Sequence, residues 1–193
     1  MKKIGLTGGI GSGKTHVANI IEKMGYPVYY SDTQAKELCN EHPLIQKGLL
    51  DLFGDEVFKD GLLNNSFLSK QIFTTPELRE TVNSIIHPVV RSDFIEWAEK
   101  HTSHSLVFNE AAILFETKSY KNFDENVLVH APLEIKIQRL LIRDQTSQEE
   151  IMGKMNAQWS DSKKLALTRY QILNDGKAPL LEQIENVIEK LNQ

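Results

Sequence analysis

Several features are scarce or missing in this sequence, and each absence excludes a class of protein. The 193 residues include one cysteine, Cys39, so the chain cannot form an internal disulfide bond. No CxxC pair or cysteine–histidine cluster predicts a zinc site. No apolar run reaches the length of a membrane span, and the N-terminal run in KKIGLTGG is too short for a secretory signal. These absences predict a soluble cytoplasmic protein.

Positive charge is also in short supply. The chain has 22 lysines and arginines against 26 acids, a net charge of −4 with a pI of about 5.9. This balance provides no general positive field for nucleic acid or an anionic membrane, and no basic stripe carries interleaved aromatic residues. The length suits a single domain with a substantial core. We therefore expect one domain over residues 1–193 without nucleic-acid or membrane partners, and the sequence predicts no oligomeric state.

Strand and helix patterns alternate along most of the chain. Short apolar runs typical of buried strands are KKIGLT, YPVYYSD, SLVFNE, ENVLVHA and YQILND. Helical patterns separate them, and this alternation predicts an α/β fold with a doubly wound parallel sheet. Ligands of such sheets bind at the carboxyl ends of the strands. Residues 41–105 instead carry consecutive helical patterns, which predict a helical insertion.

The most specific motif is GGIGSGKT at Gly8–Thr15, which fits G-x-x-x-x-G-K-[ST] between a predicted strand and a predicted helix. Phosphate oxygens need several donors in one small volume, and the backbone N–H groups of Gly11, Ser12 and Gly13 would converge there in a curled loop. The helix beginning near Gly13 adds the positive end of its dipole. A glycine-rich turn without a ligand is the alternative, but the full motif in this context favours a phosphate loop.

Three residues at the end of the loop carry the chemistry expected for a nucleoside triphosphate. Lys14 can reach the β- and γ-phosphates, and the hydroxyl of Thr15 can hold a Mg²⁺ ion. The N–H of His16 lies one step further into the helix and could meet the α-phosphate. The motif predicts a triphosphate donor but does not say which molecule receives the phosphate.

Two predicted strands end at carboxylates that could act on the acceptor. Asp32 ends the second strand and can accept a proton from an attacking hydroxyl, although it could equally only cap the next helix. Glu110 ends LVFNE and could hold magnesium through water or support the acceptor. Lys36 lies one helical turn after Asp32 and could bind the same acceptor, although a lone lysine is commonly just solvated.

Two further segments present cations at helical spacing. HPVVR places His87 and Arg91 on one helical face, which suits a phosphorylated acceptor, although an exposed histidine is the commoner explanation of the motif alone. Residues 134–169 hold seven lysines and arginines against five acids. Among them, Lys136, Arg139 and Arg143 recur at helical spacing. This segment predicts a mobile lid at about 134–165, and a salt-bridged surface helix is the alternative.

Taken in order, these motifs resemble the dephospho-coenzyme A kinase family, which catalyses the last step of coenzyme A synthesis. The resemblance runs over nearly the whole chain. It takes in IGLTGGIGSGKTHVANIIEKMG, SDTQAKEL, HPVVR, ILFE, RLLIRD followed by NAQW, and ILNDG. Many kinases share the phosphate loop, whereas the ordered set, with HPxxR between the Asp32 segment and ILFE, is much more specific.

The resemblance implies a P-loop NTPase fold with a helical acceptor-binding lobe and a helical lid over ATP. It implies that Mg·ATP phosphorylates the ribose 3′-hydroxyl of dephospho-coenzyme A. By resemblance, Asp32 is the catalytic base, and Lys14, Arg139 and Arg143 also serve catalysis. The acceptor-binding residues are then Asp32, Lys36, His87, Arg91 and Glu110; ATP is bound by Gly11 to His16, and Asn174 lies near its adenine.

The chain departs from the family pattern at several of these positions. Lys36 stands where the family usually has arginine, and Glu110 and Ala112 stand for aspartate and proline. Lys136 replaces the glutamine that usually opens the lid helix, and Arg169 replaces a common aspartate. The phosphate loop, Asp32, HPxxR and the lid arginines keep the pattern.

Two other functions share parts of this pattern. A nucleoside monophosphate kinase would have the loop and the lid but a different acceptor pocket. A nucleotide-dependent switch would regulate a partner protein, but the chain lacks an NKxD-like guanine-binding segment and a separate effector domain. The identity of the acceptor that stimulates turnover distinguishes the two kinases, and a switch would show no such stimulation.

Overall fold

The computed structural model describes the backbone of all 193 residues and every side chain except those of residues 73, 74 and 76. Two short 3₁₀ segments, Asp55–Val57 and Ser119–Asn122, accompany the regular elements. In chain order these elements are β1 (Lys2–Thr7), α1 (Lys14–Lys23), β2 (Val28–Tyr30), α2 (Ser31–Glu41), α3 (Pro43–Phe53), β3 (Phe58–Lys59), β4 (Leu62–Leu63), α4 (Asn65–Thr74), α5 (Pro76–Glu99), β5 (Leu106–Glu110), β6 (Glu125–His130), α6 (Leu133–Asp144), α7 (Gln148–Asn156), α8 (Asp161–Leu165), β7 (Tyr170–Leu173) and α9 (Leu180–Asn192).

The chain divides into two compact units. Met1–Tyr30 and Lys100–Gln193 form the first, which we call the sheet unit, and Ser31–Glu99 form the second, which we call the helical unit. Among the described residues, no helix combines the length and the apolar character needed to span a membrane.

The sheet unit is built on a five-stranded parallel sheet in the order β2-β5-β1-β6-β7. The connection from β1 to β2 runs in one direction along the sheet, and the connection from β6 to β7 runs in the other. Right-handed crossovers therefore place α1 and the α6–α8 segment on opposite faces. The predicted doubly wound parallel sheet is confirmed.

The core of the sheet unit explains why these strands read as apolar runs. Ile4, Leu6 and Phe108 are completely buried in the middle of the sheet. The last helix, α9, adds an apolar stripe at helical spacing, formed by Ile184, Val187, Ile188 and Leu191. Strands buried on both faces lose the polar–apolar alternation of exposed sheets, as is usual for parallel sheets.

The helical unit has its own core around α5, which packs against α2, α3 and α4. Pro88 lies inside α5, and the helix, 24 residues in all, continues without a break on both sides of it. Proline removes one helical N–H donor. Val82 and Val89, on either side of that site, both pack into the core, and this burial holds the two halves in line.

The helical unit also contains a small hairpin that the sequence analysis missed. Strands β3 and β4 pair antiparallel across the turn at Asp60 and Gly61. Both turn residues have positive φ angles, 53° and 77°, as a two-residue hairpin turn of this type requires. An Asp-Gly pair between apolar residues is the sequence signal for such a turn.

Two predicted boundaries also differ from the structure. The second strand ends at Tyr30 and α2 begins at Ser31, so Asp32 lies inside the first helical turn and not at the strand end or the N-cap. Its negative charge still interacts favourably with the positive N-terminal end of the helix dipole. The segment predicted as one helical lid is three helices, and the first ends where Gln145 takes a left-handed conformation with φ 49°.

Candidate active site

The phosphate loop joins β1 to α1 in the sheet unit and has the curl that the motif predicts. Gly11 and Gly13 have φ angles of 80° and 84°, which side chains rarely adopt. A Cβ atom at Gly13 would also overlap Nδ2 of Asn174. Within the loop, the N–H of Ser12 donates to the carbonyl of Gly9 at 3.0 Å. Glycine is therefore required at Gly13 by both its backbone angles and its surroundings.

Side chains from the second half of the chain make hydrogen bonds to the backbone of this loop. The N–H of Ile10 donates to Oε1 of Gln158 at 2.8 Å. The carbonyl of Ser12 accepts from Nδ2 of Asn174 at 2.9 Å and from Nη1 of Arg139 at 3.3 Å. Arg139 also donates to Oδ1 of Asn174 at 3.1 Å. These bonds hold the loop backbone in its curled conformation, which favours a preorganised site for an anion.

Glu110 connects the loop to the neighbouring strand. It is the last residue of β5 and is 3% exposed, and its register places it opposite Leu6 of β1. Its Oε1 atom pairs with Nζ of Lys14 and accepts from Oγ1 of Thr15 at 2.9 Å. The ion pair offsets the cost of burying this carboxylate. Lys14 thus has an internal counter-ion in Glu110.

The donor set around Thr15 suits magnesium. Mg²⁺ prefers hard oxygen ligands and commonly binds through one or two protein groups together with substrate phosphates. The hydroxyl of Thr15 and the carboxylate of Glu110, 2.9 Å apart, provide such ligands. Among the side chains that the structure describes, no three His, Cys, Asp or Glu residues form a metal-binding group.

The two predicted lid arginines differ in their contacts. Arg139 contacts the carbonyls of Gly11 and Ser12, so it lies against the loop. Arg143 instead makes two hydrogen bonds to Asp144, at 2.6 and 3.2 Å, and its side chain is 62% exposed. The hydrogen bonds to Asp144 raise the pKa of Arg143, and they lower that of the Asp144 carboxyl.

Two other predicted nucleotide residues also have defined positions. Asn174, predicted near adenine, is 8% exposed, and its side chain holds the loop through Ser12. His16 is exposed in the first turn of α1. Contact of either residue with ATP stays a prediction.

The predicted acceptor residues lie in the helical unit, on two helices that pack together. Asp32 and Lys36 are exposed one turn apart on α2, and Arg91 is exposed one turn after His87 on α5. Burial lowers the pKa of His87, and the negative charge of Asp32 opposes that change. The charge of Asp32 on α2 therefore acts on His87 of α5, whereas Glu110 belongs to the sheet unit.

Sequence reasoning missed several residues that support the site. Oε1 of Glu116 accepts from the N–H of Trp159 at 2.9 Å, directly beside Gln158. Lys164 is completely buried, and its Nζ lies 2.8 Å from the same oxygen in an ion pair without hydrogen-bond alignment. Glu116 belongs to ILFE, and Gln158 and Trp159 belong to NAQW, so the only sequence signal was their presence in the segments that carry the resemblance.

Lys136 was predicted as a lid cation beside Arg139 and Arg143, but the structure buries it. It is 8% exposed, and its Nζ donates to Oδ2 of Asp161 at 2.7 Å. The three cations at helical spacing therefore have different environments: Arg143 is exposed, Arg139 contacts the loop, and Lys136 forms a buried ion pair.

Comparisons with known proteins agree on one family. The family model described as dephospho-CoA kinase matches residues 2–179. A dephospho-CoA kinase from Bacteroides fragilis strain YCH46 is 41% identical over 191 residues, which cover 99% of this chain and 93% of the relative. The solved structure of TT1252 from Thermus thermophilus is 30% identical with a TM-score of 0.85, and the match covers 98% of this chain and 95% of the other. Dephospho-CoA kinase from Campylobacter jejuni, 21% identical, has the same fold with a TM-score of 0.71 over 98% of this chain and 96% of its own.

Proposed function

Because the chain belongs to the dephospho-CoA kinase family, we propose that it transfers the γ-phosphoryl group of ATP to the ribose 3′-hydroxyl of dephospho-coenzyme A. The products are ADP and coenzyme A, so the reaction is the last step of coenzyme A synthesis. The observation that supports the assignment most strongly is that Lys14 and Thr15 of the phosphate loop both bond to the buried carboxylate of Glu110.

The donor side of the reaction depends on positioning and charge. Backbone N–H groups of the loop, from Gly11 to Thr15, bind the phosphates without reorganising, because Asn174 and Gln158 already hold the loop backbone. Lys14 exchanges its contact with Glu110 for the β- and γ-phosphates. Phosphoryl transfer asks little covalent chemistry of a protein, so these contacts provide much of the catalysis.

Thr15 and Glu110 are the residues that would hold Mg²⁺ beside the phosphates. When bound, magnesium neutralises phosphate charge. Glu110 then has two roles in turn, as a partner for Lys14 in the free protein and as an oxygen ligand in the loaded one.

Acceptor activation is assigned to Asp32. Its carboxylate orients the 3′-hydroxyl and accepts its proton as the new O–P bond forms. Lys36, His87 and Arg91 bind the phosphate groups of the acceptor, for which the planar guanidinium of Arg91 is the best suited. The support for this assignment is that α2 and α5 pack together and that Asp32 influences the titration of His87.

The remaining parts of the proposal concern the lid and the compartment. The α6–α8 segment serves as the lid, and Arg139 and Arg143 close over the transferred phosphoryl group. Closure requires both arginines to exchange contacts for the ligand, Arg139 those with the loop carbonyls and Arg143 that with Asp144. The proposed compartment is the cytoplasm. ATP is available there, and the buried Cys39 is a free thiol, so the fold does not depend on an oxidising compartment.

A panel of acceptors tests the proposal directly. The protein is supplied with Mg·ATP and, in turn, dephospho-coenzyme A, AMP, CMP and water alone, and ADP release is measured. We expect rapid release with dephospho-coenzyme A only, and a product that carries a 3′-phosphate by mass and NMR analysis. Fast turnover of a mononucleotide without turnover of dephospho-coenzyme A would instead identify a nucleoside monophosphate kinase.

A further inference from the structure

A buried ion pair lies against the first turn of the phosphate loop. Nζ of Lys136 and Oδ2 of Asp161 are 2.7 Å apart, with side chains that are 10% and 19% exposed. A Cβ atom at Gly9 would lie 3.1 Å from Oδ1 of Asp161 and 3.7 Å from Nζ of Lys136. The loop backbone therefore runs directly beside both charges.

The carboxylate of Asp161 has an electrostatic cost at this position. It begins α8 and is mostly buried, so solvent screens its charge only weakly. The loop that it touches is the one assigned to the polyanionic tail of ATP, and like charges at short range in a partly buried site repel strongly. Unless a cation compensates Asp161, its charge opposes the binding of each phosphate that the loop receives.

We propose that Lys136 is a positioning residue for ATP, which acts by neutralising Asp161 beside Gly9. This inference rests on the proposed function of the loop as the ATP site. It assigns to Lys136 a role distinct from that of the exposed lid cation Arg143, because Lys136 acts on the phosphates through another side chain. The alternative is that the ion pair only fastens α8 to α6.

The surroundings of the pair support an electrostatic role. His130, the last residue of β6, responds to both charges: burial lowers its pKa most, Asp161 raises it and Lys136 lowers it further. The carbonyl of His130 accepts from the N–H of Asn174, whose side chain holds Ser12 of the loop. The charges of Lys136 and Asp161 therefore influence His130. His130 in turn accepts a hydrogen bond from Asn174, which holds the loop.

A double-mutant cycle tests the proposal through binding alone. Calorimetry without acceptor measures the affinities of ATP, ADP and AMP for the full chain carrying Lys136→Met, Asp161→Asn or both changes. We expect Lys136→Met to weaken ATP binding about tenfold, ADP binding less and AMP binding least, because the repulsion grows with phosphate charge. Asp161→Asn keeps or improves ATP affinity, and the double variant recovers most of the loss.

A second ion pair in the same segment provides a matched control. Lys154 lies 3.6 Å from Asp144, but its side chain is 50% exposed. Lys154→Met therefore removes an equal charge and should leave all three affinities unchanged. NMR titration gives an independent measure, because Lys136→Met should raise the pKa of His130 and Asp161→Asn should lower it.

The outcomes separate this inference from the proposed function. If Lys136→Met weakens ATP and AMP equally, or if the double variant binds ATP no better than Lys136→Met does, the pair is only a fastening and the inference is wrong. Unchanged ATP affinity in Lys136→Met also overturns it. If the unmodified protein itself binds no ATP, the proposed function fails together with its donor site.

Discussion

The sheet unit and the helical unit present their candidate residues in opposite ways. In the sheet unit, polar side chains such as Glu110 and Asn174 are buried and bonded to the loop or to its lysine. In the helical unit, Asp32, Lys36 and Arg91 are exposed on helix surfaces, and only His87 is partly buried. One unit buries its polar side chains around the phosphate loop, and the other exposes its charged side chains on two packed helices.

The difference matches the demands of the two ligands in the proposed reaction. A triphosphate is compact and highly charged, so donors that are already oriented bind it without a reorganisation cost. A large acceptor with a ribose, phosphates and an extended arm needs a broader surface, and exposed charged side chains can adjust to it. The sheet unit should therefore be sensitive to geometry, whereas the helical unit should be sensitive to charge and chemical identity.

The largest expected effect concerns Asp32. Asp32→Asn keeps the size of the side chain but removes the proton acceptor, so kcat should fall by roughly a thousandfold, within the range of general base catalysis. ATP affinity should stay unchanged, because the donor site belongs to the other unit. Stopped-assay ADP release and calorimetry measure the two quantities separately.

Asp51→Asn is the control for this prediction, since Asp51 is an exposed acid on α3 of the same unit. It should behave like the unmodified protein. Normal turnover of Asp32→Asn would remove Asp32 from the mechanism.

The next effect tests the geometric sensitivity of the sheet unit. Gly13→Ala places a side chain at φ 84° and against Asn174, so the loop must deform. We expect ATP affinity to fall by about a hundredfold, because strain and the loss of oriented donors add. Calorimetry with ATP measures the loss.

Gly25→Ala tests the effect of backbone strain at a position outside the phosphate loop. Gly25 has φ 91°, but a Cβ atom there would meet nothing within 4 Å. The change should destabilise the fold by about 1 kcal/mol and leave ATP affinity intact. Equal ATP affinities in the two variants would show that the loop tolerates deformation.

A smaller effect tests the charge sensitivity of the helical unit. Arg91→Met keeps most of the aliphatic length but removes the guanidinium, so the KM for dephospho-coenzyme A should rise about tenfold, the cost of one charge-assisted hydrogen bond. The KM for ATP should not change. Arg79→Met on the same helix is the matched control, and a similar rise in both variants would indicate general charge attraction instead of a specific contact.

The parts of the fold that depend on nearby residues could be predicted from the sequence. The β1–loop–α1 order follows from one continuous pattern, because the apolar run, the glycines and the helix are adjacent. The parallel sheet follows from the alternation of elements. The continuity of α5 through Pro88 could not be predicted, since it depends on side chains packed on both sides of the proline.

The supporting contacts of the site could not be predicted either, because their partners are distant in the chain. Nothing local in the sequence indicates that Lys164 is buried against Glu116 or that Gln158 reaches Ile10. The environment of Lys136 could not be predicted for the same reason. Helical spacing grouped it with Arg139 and Arg143. Asp161, which lies two helices later, decides its actual environment.

The smallest expected effect is a change in the titration of His87, and it tests whether the acceptor residues are grouped. Burial lowers the pKa of His87 because it disfavours the charged imidazolium, whereas the carboxylate of Asp32 stabilises that form and opposes the change. Asp32→Asn removes this opposition, so the pKa of His87 should fall further. Proton NMR of the six histidines over a pH series measures it, with His87→Gln to assign the signal. Asp51→Asn should leave the titration unchanged. A pKa of His87 that stays constant or rises in Asp32→Asn would mean that α2 and α5 do not bring the two side chains together, and the acceptor site would have to be sought elsewhere.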